Sequence, residues 1–356
     1  MVNRFQALTG LRAVAAIMVF LYHNRKAWFG WLPEWLLQGL NEFHTGVSVF
    51  FVLSGFLVAY TYGEKPAAGK NAYRTYLLVR LARIFPVYLL LLSAKYIHLG
   101  FPGTTETIAT YTLTQGLFDK FSLSGIPQSW SLTTELCFYL LAPFLFLWSL
   151  KSIARTLVLL CLAFVACIGL GWALQVFKLN PHDFLYGTVF VLRTVFFGRF
   201  VEFYCGILLA LQLRNKISLR CFQWRHQTFM GDVGILLVLV LISLFQTSIW
   251  THGIETWPGL LIRNLVFPIA VVFFINGLIK EKTWVQWLLG NRVAVLLGNA
   301  SFIFYLVHLN YINNQLWKWH HFPDRNFTLL WIISIIAYLL VEKPIYNFLK
   351  KRVRKT

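Results

Sequence analysis

Arg12 and His23 stand eleven residues apart inside one apolar stretch that runs from about Leu8 to Phe29. A charged or titratable side chain in a segment long enough to cross a bilayer is costly, and is usually kept for a task. Eleven residues of α-helix make roughly three turns and advance roughly 16 Å. The two side chains therefore share a face, with a gap about as long as an extended cofactor arm. Arginine cannot shed its charge cheaply, so Arg12 needs an anion or a carboxylate partner, for which Glu135 and Glu202 are internal candidates. An imidazole can take a proton from a hydroxyl at neutral pH, or simply pack against a neighbouring carbonyl. A cation and a base so placed could hold an anionic cofactor by its phosphates and act at its far end.

Arg80 and Arg83 lie one turn apart at the expected start of a later apolar helix. Two guanidinium forks there suit phosphate or diphosphate, and a helix N-terminus would add a favourable dipole. The bias of basic residues toward the cytoplasmic side explains them equally well. Glu135 follows Trp130 and Ser131 at the start of another helix, where it could orient a second substrate or pair with a cation. Arg199 and Glu202 are three apart and could pair with each other. Ser54 has no base close in sequence, and Ser54-Gly55-Phe56 suits tight helix packing. His44, His98, His182, His252, His320 and His321 fall in loops or helix ends and are given no role. The five cysteines show neither a disulfide framework nor metal-ligand spacing, and no metal is expected.

The elements that must position these residues follow from composition. Of 356 residues, 58% are apolar and 13% charged, about half the charge of a soluble domain. This is the composition of an all-α polytopic membrane protein. Ten spanning helices are expected, near 8–29, 44–62, 76–98, 131–150, 155–177, 189–213, 231–250, 260–279, 293–316 and 327–349. Arg12 interrupts the first apolar run, which reads as an uncleaved helix rather than a signal peptide. The segment Gly100–Ser129, rich in Gly and Pro, reads as a loop with room for a short surface helix. The net charge of +19 does not mark a nucleic-acid partner, because the basic residues punctuate apolar segments instead of forming one patch. With the N-terminus inside, 20 Lys and Arg fall in cytoplasmic loops and tails against six in the opposite loops. Both termini are therefore expected in the cytoplasm. The Trp clusters (Trp28, Trp31, Trp35; Trp284, Trp287; Trp317, Trp319) read as bilayer anchors and place membrane lipid among the partners.

Six motifs in order give a resemblance. Arg12-x10-His23 follows Ala7-Leu8-Thr9-Gly10-Leu11. Phe51-Val52-Leu53-Ser54-Gly55-Phe56 comes next, then Arg80-Leu81-Ala82-Arg83-Ile84-Phe85-Pro86. Trp130-Ser131-Leu132-Thr133-Thr134-Glu135 precedes Phe138-Tyr139 and Pro143. Ser301-Phe302-Ile303-Phe304-Tyr305-Leu306-Val307-His308 and Val341-Glu342-Lys343-Pro344 close the series. Each is weak alone; together they make the chain resemble the acyltransferase type 3 family along nearly its whole length.

That resemblance implies a single transmembrane acyltransferase domain over 1–356. The soluble hydrolase-like domain that some relatives carry after the last helix is not expected. It implies an enzyme of the bacterial cytoplasmic (inner) membrane that moves an acyl group, with acetyl expected, from cytoplasmic acyl-CoA to a hydroxyl. The acceptor would be an envelope or exported polysaccharide, or its lipid-linked oligosaccharide precursor, with polysaccharide-assembly proteins as partners. A small lipophilic acceptor such as a macrolide is the alternative within the class, and a glycan or lipid-linked-sugar transporter the alternative outside it. His23 is the motif's catalytic residue, with Arg12 and Glu135 beside it in that role. Arg80, Arg83 and Arg12 are the expected contacts to acetyl-CoA. Trp130, Ser131, Arg199, Glu202, Tyr305 and His308 are the expected acceptor contacts. Direct transfer and an acyl-histidine intermediate both remain open.

Overall fold

The computed structural model describes residues 5–353 except 29, 64–68, 180, 249–250, 310–311, 314 and 317–322. Arg4, Lys65, Trp317, Lys318, Trp319, His320, His321, Arg354 and Lys355 lie outside the described residues, as does the side chain of Trp28. Sixteen named helices follow. They are α1 (Gln6–Asn24), α2 (Glu34–Asn41), α3 (Gly46–Thr61), α4 (Lys70–Leu99), α5 (Thr104–Tyr111), α6 (Trp130–Lys151), α7 (Ile153–Val176) and α8 (Thr188–Thr194). Then come α9 (Phe196–Leu213), α10 (Gln227–Ser243), α11 (Trp257–Leu261), α12 (Phe267–Lys280), α13 (Trp284–Gly290), α14 (Arg292–Val307), α15 (Pro323–Ala337) and α16 (Lys343–Val353). An isolated antiparallel bridge joins Phe118 and Phe184.

Eight helical stretches are long and apolar enough to cross a membrane. A ninth is broken, because α13 and α14 meet at 61°. Asn291 causes the break: its backbone is extended, and its side chain accepts from the Ala294 amide at 2.8 Å, starting a new helix. The expected seventh span, 231–250, is the 17-residue α10, which ends at Ser243 and is shorter than the others. The second span is longer than expected, with helical structure from Glu34 to Thr61. The segment Gly100–Ser129 holds α5 and three short 3₁₀ turns, pinned by Gln115 Nε2 donating to Ser129 Oγ at 2.7 Å.

Helix α7 shows why a bilayer is required. Val158, Leu162, Val165, Leu170 and Trp172 are all exposed along it. Water would not tolerate a contiguous apolar face of that size, whereas acyl chains would. Trp31, Trp35, Trp284 and Trp287 are likewise exposed, as bilayer anchors should be.

The chain divides into two compact units. The first comprises Met1–Leu57, Val201–His308 and Asn313–Ile335. Its centre is α1, whose Ala7, Leu8, Leu11, Ala15, Val19 and Phe20 form a buried helical stripe. Small residues let backbones touch there. A Cβ at Gly298 of α14 would stand 1.8 Å from the Thr9 carbonyl oxygen, and one at Gly10 would stand 2.0 Å from that of Leu289. Close backbone approach is how helices gain packing energy where water supplies no driving force. The second unit comprises Val58–Phe200, Leu309–Ile312 and Ile336–Thr356. In it α4 packs against α6 and α16, and Tyr76 on α4 donates to the Tyr139 carbonyl at 3.1 Å.

Candidate active site

In the first unit, α1 runs unbroken from Gln6 to Asn24, so Arg12 and His23 do share one helix. Helical geometry keeps the roughly 16 Å separation inferred for them. His23 sits in the last turn, solvent-accessible yet closely surrounded by protein, and Arg12 is half-buried. The His23 ring lies 4.6 Å from that of Tyr22 and 5.3 Å from that of His308. His308, at the C-terminal end of α14, is fully buried. Its Nδ1 meets the Tyr305 carbonyl oxygen at 2.7 Å. A carbonyl only accepts, so Nδ1 carries the proton and Nε2 holds the lone pair. Asn313 donates to the His308 carbonyl at 2.6 Å. Tyr305 is buried with its ring 5.6 Å from His308. Two motifs 285 residues apart in sequence thus supply two imidazoles to one place.

In the second unit, the Arg80 guanidinium lies 4.5 Å from the centre of the Tyr62 ring and 5.6 Å from that of Tyr139. Its Nε is buried with no hydrogen-bond partner among the described residues. The Tyr139 hydroxyl donates to Glu135 Oε1 at 2.5 Å, so Glu135, Tyr139 and Arg80 form one group. Arg83 follows one turn later and is half-buried. The expected dipole contribution is corrected here. Helix α4 begins at Lys70, not near residue 76, so Arg80 lies about three turns inside, beyond the reach of the N-terminal partial charge. An anion at Arg80 would be held by its charge and planar fork alone.

Arg199 is almost fully buried, donates to the Arg193 carbonyl at 3.0 Å and sits 5.8 Å over the Trp130 ring. This joins two of the expected acceptor residues. Ser131 is buried and donates back to the Gln128 carbonyl at 2.9 Å, which shapes the turn entering α6. Glu202 is fully buried on α9.

Sequence reasoning passed over one group. Tyr22, His44 and His252 form a triangle of rings with centres 5.5, 5.5 and 5.8 Å apart. Glu42 lies buried beside it, with Oε2 3.8 Å from His44 Nδ1. More than 200 residues separate His44 from His252, so no local pattern links them. The signal available was a carboxylate, Glu42, at the edge of an apolar span. Among the described residues no group of three or more His, Cys, Asp or Glu is placed to hold a metal ion.

A family model described as an acyltransferase domain matches residues 5–342. A Staphylococcus aureus (strain COL) protein provisionally named an O-acetyltransferase is 24% identical over 379 residues, covering 95% of this chain and 56% of that protein. The O-acetyltransferase OatA of S. aureus (strain NCTC 8325 / PS 47) is 23% identical over 374 residues, covering 98% of this chain and 57% of OatA. The chain thus spans a little over half the length of these relatives. No solved structure gives a significant match. The ordered motifs, the helical membrane fold that positions them and a match over nearly the whole length agree: this chain belongs to the acyltransferase type 3 family.

Proposed function

We propose that the protein is an O-acetyltransferase of the bacterial inner membrane. It takes an acetyl group from acetyl-CoA and delivers it to a hydroxyl of an envelope or exported polysaccharide or its lipid-linked precursor. The carrying observation is the accessible His23 at the end of α1, with the His308 ring 5.3 Å from its own and Arg12 eleven residues earlier on the same helix. His23 removes the proton of the attacking hydroxyl. The hydroxyl oxygen forms the new C–O bond as the C–S bond breaks, and the proton passes to the departing thiolate. Arg80 and Arg83 bind donor phosphates, and Arg12 neutralises negative charge along the donor or orients a group that does. The names of the S. aureus relatives support the acetyl group and the hydroxyl acceptor.

The test is release of free thiol from acetyl-CoA by the purified protein in proteoliposomes. Release should depend on the protein and fall about 10²–10⁴-fold in His23→Ala, the usual loss for a missing general base. Activity within a few-fold of wild type would remove His23 as base or acyl carrier. A transporter would release no thiol at all.

A further inference from the structure

We propose that Tyr22, His44 and His252 form a hydroxyl-binding subsite for the acceptor, held in shape by the buried carboxylate of Glu42. The inference rests on the acetyltransferase reading above and adds residues that reading does not use.

The three rings come from three separate places: the end of α1, the 3₁₀ turn before α3, and the loop after α10. Tyr22 directly precedes His23, and its hydroxyl meets His252 Nε2 at 3.3 Å. His44 and His252 keep 11% and 14% of their side chains exposed, while both His44 ring nitrogens and His252 Nδ1 are shielded from water, so an acceptor hydroxyl would enter a nearly closed polar cluster beside His23. A phenol and an imidazole can each donate or accept, as sugar hydroxyls do, which suits them to hydroxyl recognition. Their faces also suit the C–H surface of a sugar ring. No charged head group is needed to explain them.

Glu42 supplies the rigidity such a subsite needs. It is fully buried in the same turn as His44. Its Oε1 accepts from the Gly253 amide at 2.8 Å and from Gln246 Nε2 at 2.5 Å. One carboxylate thereby ties the His44 turn to the backbone next to His252. A Cβ at Gly253 would stand 1.9 Å from the Ile242 carbonyl oxygen, so this loop lies directly on α10. Beneath Tyr22, Arg25 donates to the Tyr22 carbonyl at 2.6 Å and to Asn41 Oδ1, with its guanidinium 4.5 Å from the ring centre. The subsite is thus clamped from both sides, one residue from the proposed base. Glu42 acts through His44 and is a positioning residue.

The experiment uses the full chain in proteoliposomes, with methyl β-D-glucopyranoside as acceptor probe. Thiol release and transfer of labelled acetyl to the probe are both recorded. Wild type should show saturable stimulation by the probe. His44→Ala and His252→Ala should each raise the KM for the probe about tenfold, the scale of one or two lost hydrogen bonds, while the KM for acetyl-CoA moves much less. Tyr22→Phe should give a smaller rise in the same parameter. Glu42→Gln keeps the shape and one acceptor oxygen, and should recover most of the probe affinity lost in Glu42→Ala. The subsite is overturned if wild type releases thiol yet shows no saturable response to the probe. It is also overturned if both KM values rise together, or if neither moves. Wild type that releases no thiol would instead remove the acetyltransferase reading on which the subsite rests.

Discussion

Arg80 is the residue whose chemistry is most exposed to a conservative change. Its guanidinium is flanked by the Tyr62 and Tyr139 rings, and Tyr139 is in turn held by Glu135. Lysine keeps the charge but loses the planar fork and most of the stacking, whose cation–π part alone is worth about 0.5–2 kcal/mol. Arg80→Lys should therefore raise the KM for acetyl-CoA about tenfold with a smaller effect on kcat. If the lost fork faced the 3′-phosphate, dephospho-acetyl-CoA should be much less affected. Steady-state thiol release with the two donors measures this, and an unchanged KM for both would return Arg80 to a purely topological role. The Arg12-x10-His23 pair was legible in sequence because one helix carries both ends. The Tyr22–His44–His252 group was not, because three distant segments build it and each histidine alone looks like an ordinary loop residue.

Helices form contacts here through backbone, and that sets what each element tolerates. Gly298→Ala would place a methyl 1.8 Å from the Thr9 carbonyl oxygen, which is backbone and cannot rotate away. The α1–α14 pair would have to separate, carrying His23 from His308. Folded yield and acetyl transfer should both collapse. Gly290→Ala, whose nearest atom would be 3.9 Å away, should be nearly silent on the same gel-filtration and thiol-release assays. A different device holds α10. Its N-cap, His226, is left-handed and caps nothing, so Glu281 from beyond α12 accepts from the Gln227 and Thr228 amides at 2.6 and 2.9 Å and from Thr228 Oγ1 at 2.6 Å. Partial burial alone would raise this carboxyl, but the hydrogen bonds outweigh it and hold it below the usual carboxylate range. A depressed value means the stabilisation is present above the unfolded pKa and is lost as pH falls through the folded one. Wild type should therefore melt above Glu281→Gln at neutral pH, with the gap closing in acid. A gap independent of pH would deny the charged cap. Eight of the ten expected spans were readable because length and apolarity are local. The break at Asn291 was not, because one capping side chain decides it against an otherwise continuous apolar run.

At the scale of the whole molecule, orientation decides which reaction is possible. On the proposed reading the donor is acyl-CoA, cytoplasmic and multiply charged, so the residues proposed to bind its phosphates must open to the cytoplasm. The sequence provides the argument through its 20 to six distribution of Lys and Arg, which favours loops on the side of the N-terminus. Each misplaced cationic side chain near the bilayer centre would cost about 2.5–3.5 kcal/mol, and a loop carrying several is retained inside. The turn after α9, with Arg214, Lys216, Arg220 and Arg225, belongs to the basic set. The segment between α4 and α6, with Lys120 alone, belongs to the other. Single cysteines at these two positions separate the cases. In intact cells a membrane-impermeant maleimide should label Lys120→Cys at once, and Lys216→Cys only after permeabilisation. The native cysteines need not be removed if the unsubstituted chain is labelled in parallel as a baseline. The reverse pattern would put Arg80 and Arg83, on the same side as Lys70, outside the cell, where acyl-CoA is absent. It would end the donor reading whatever the chemistry of His23. The proposed pattern instead makes the membrane itself part of the mechanism. The donor is confined to one face, and the Tyr22–His44–His252 group, at the far end of α1 from Arg12, is left to receive an acceptor that need never enter the cytoplasm.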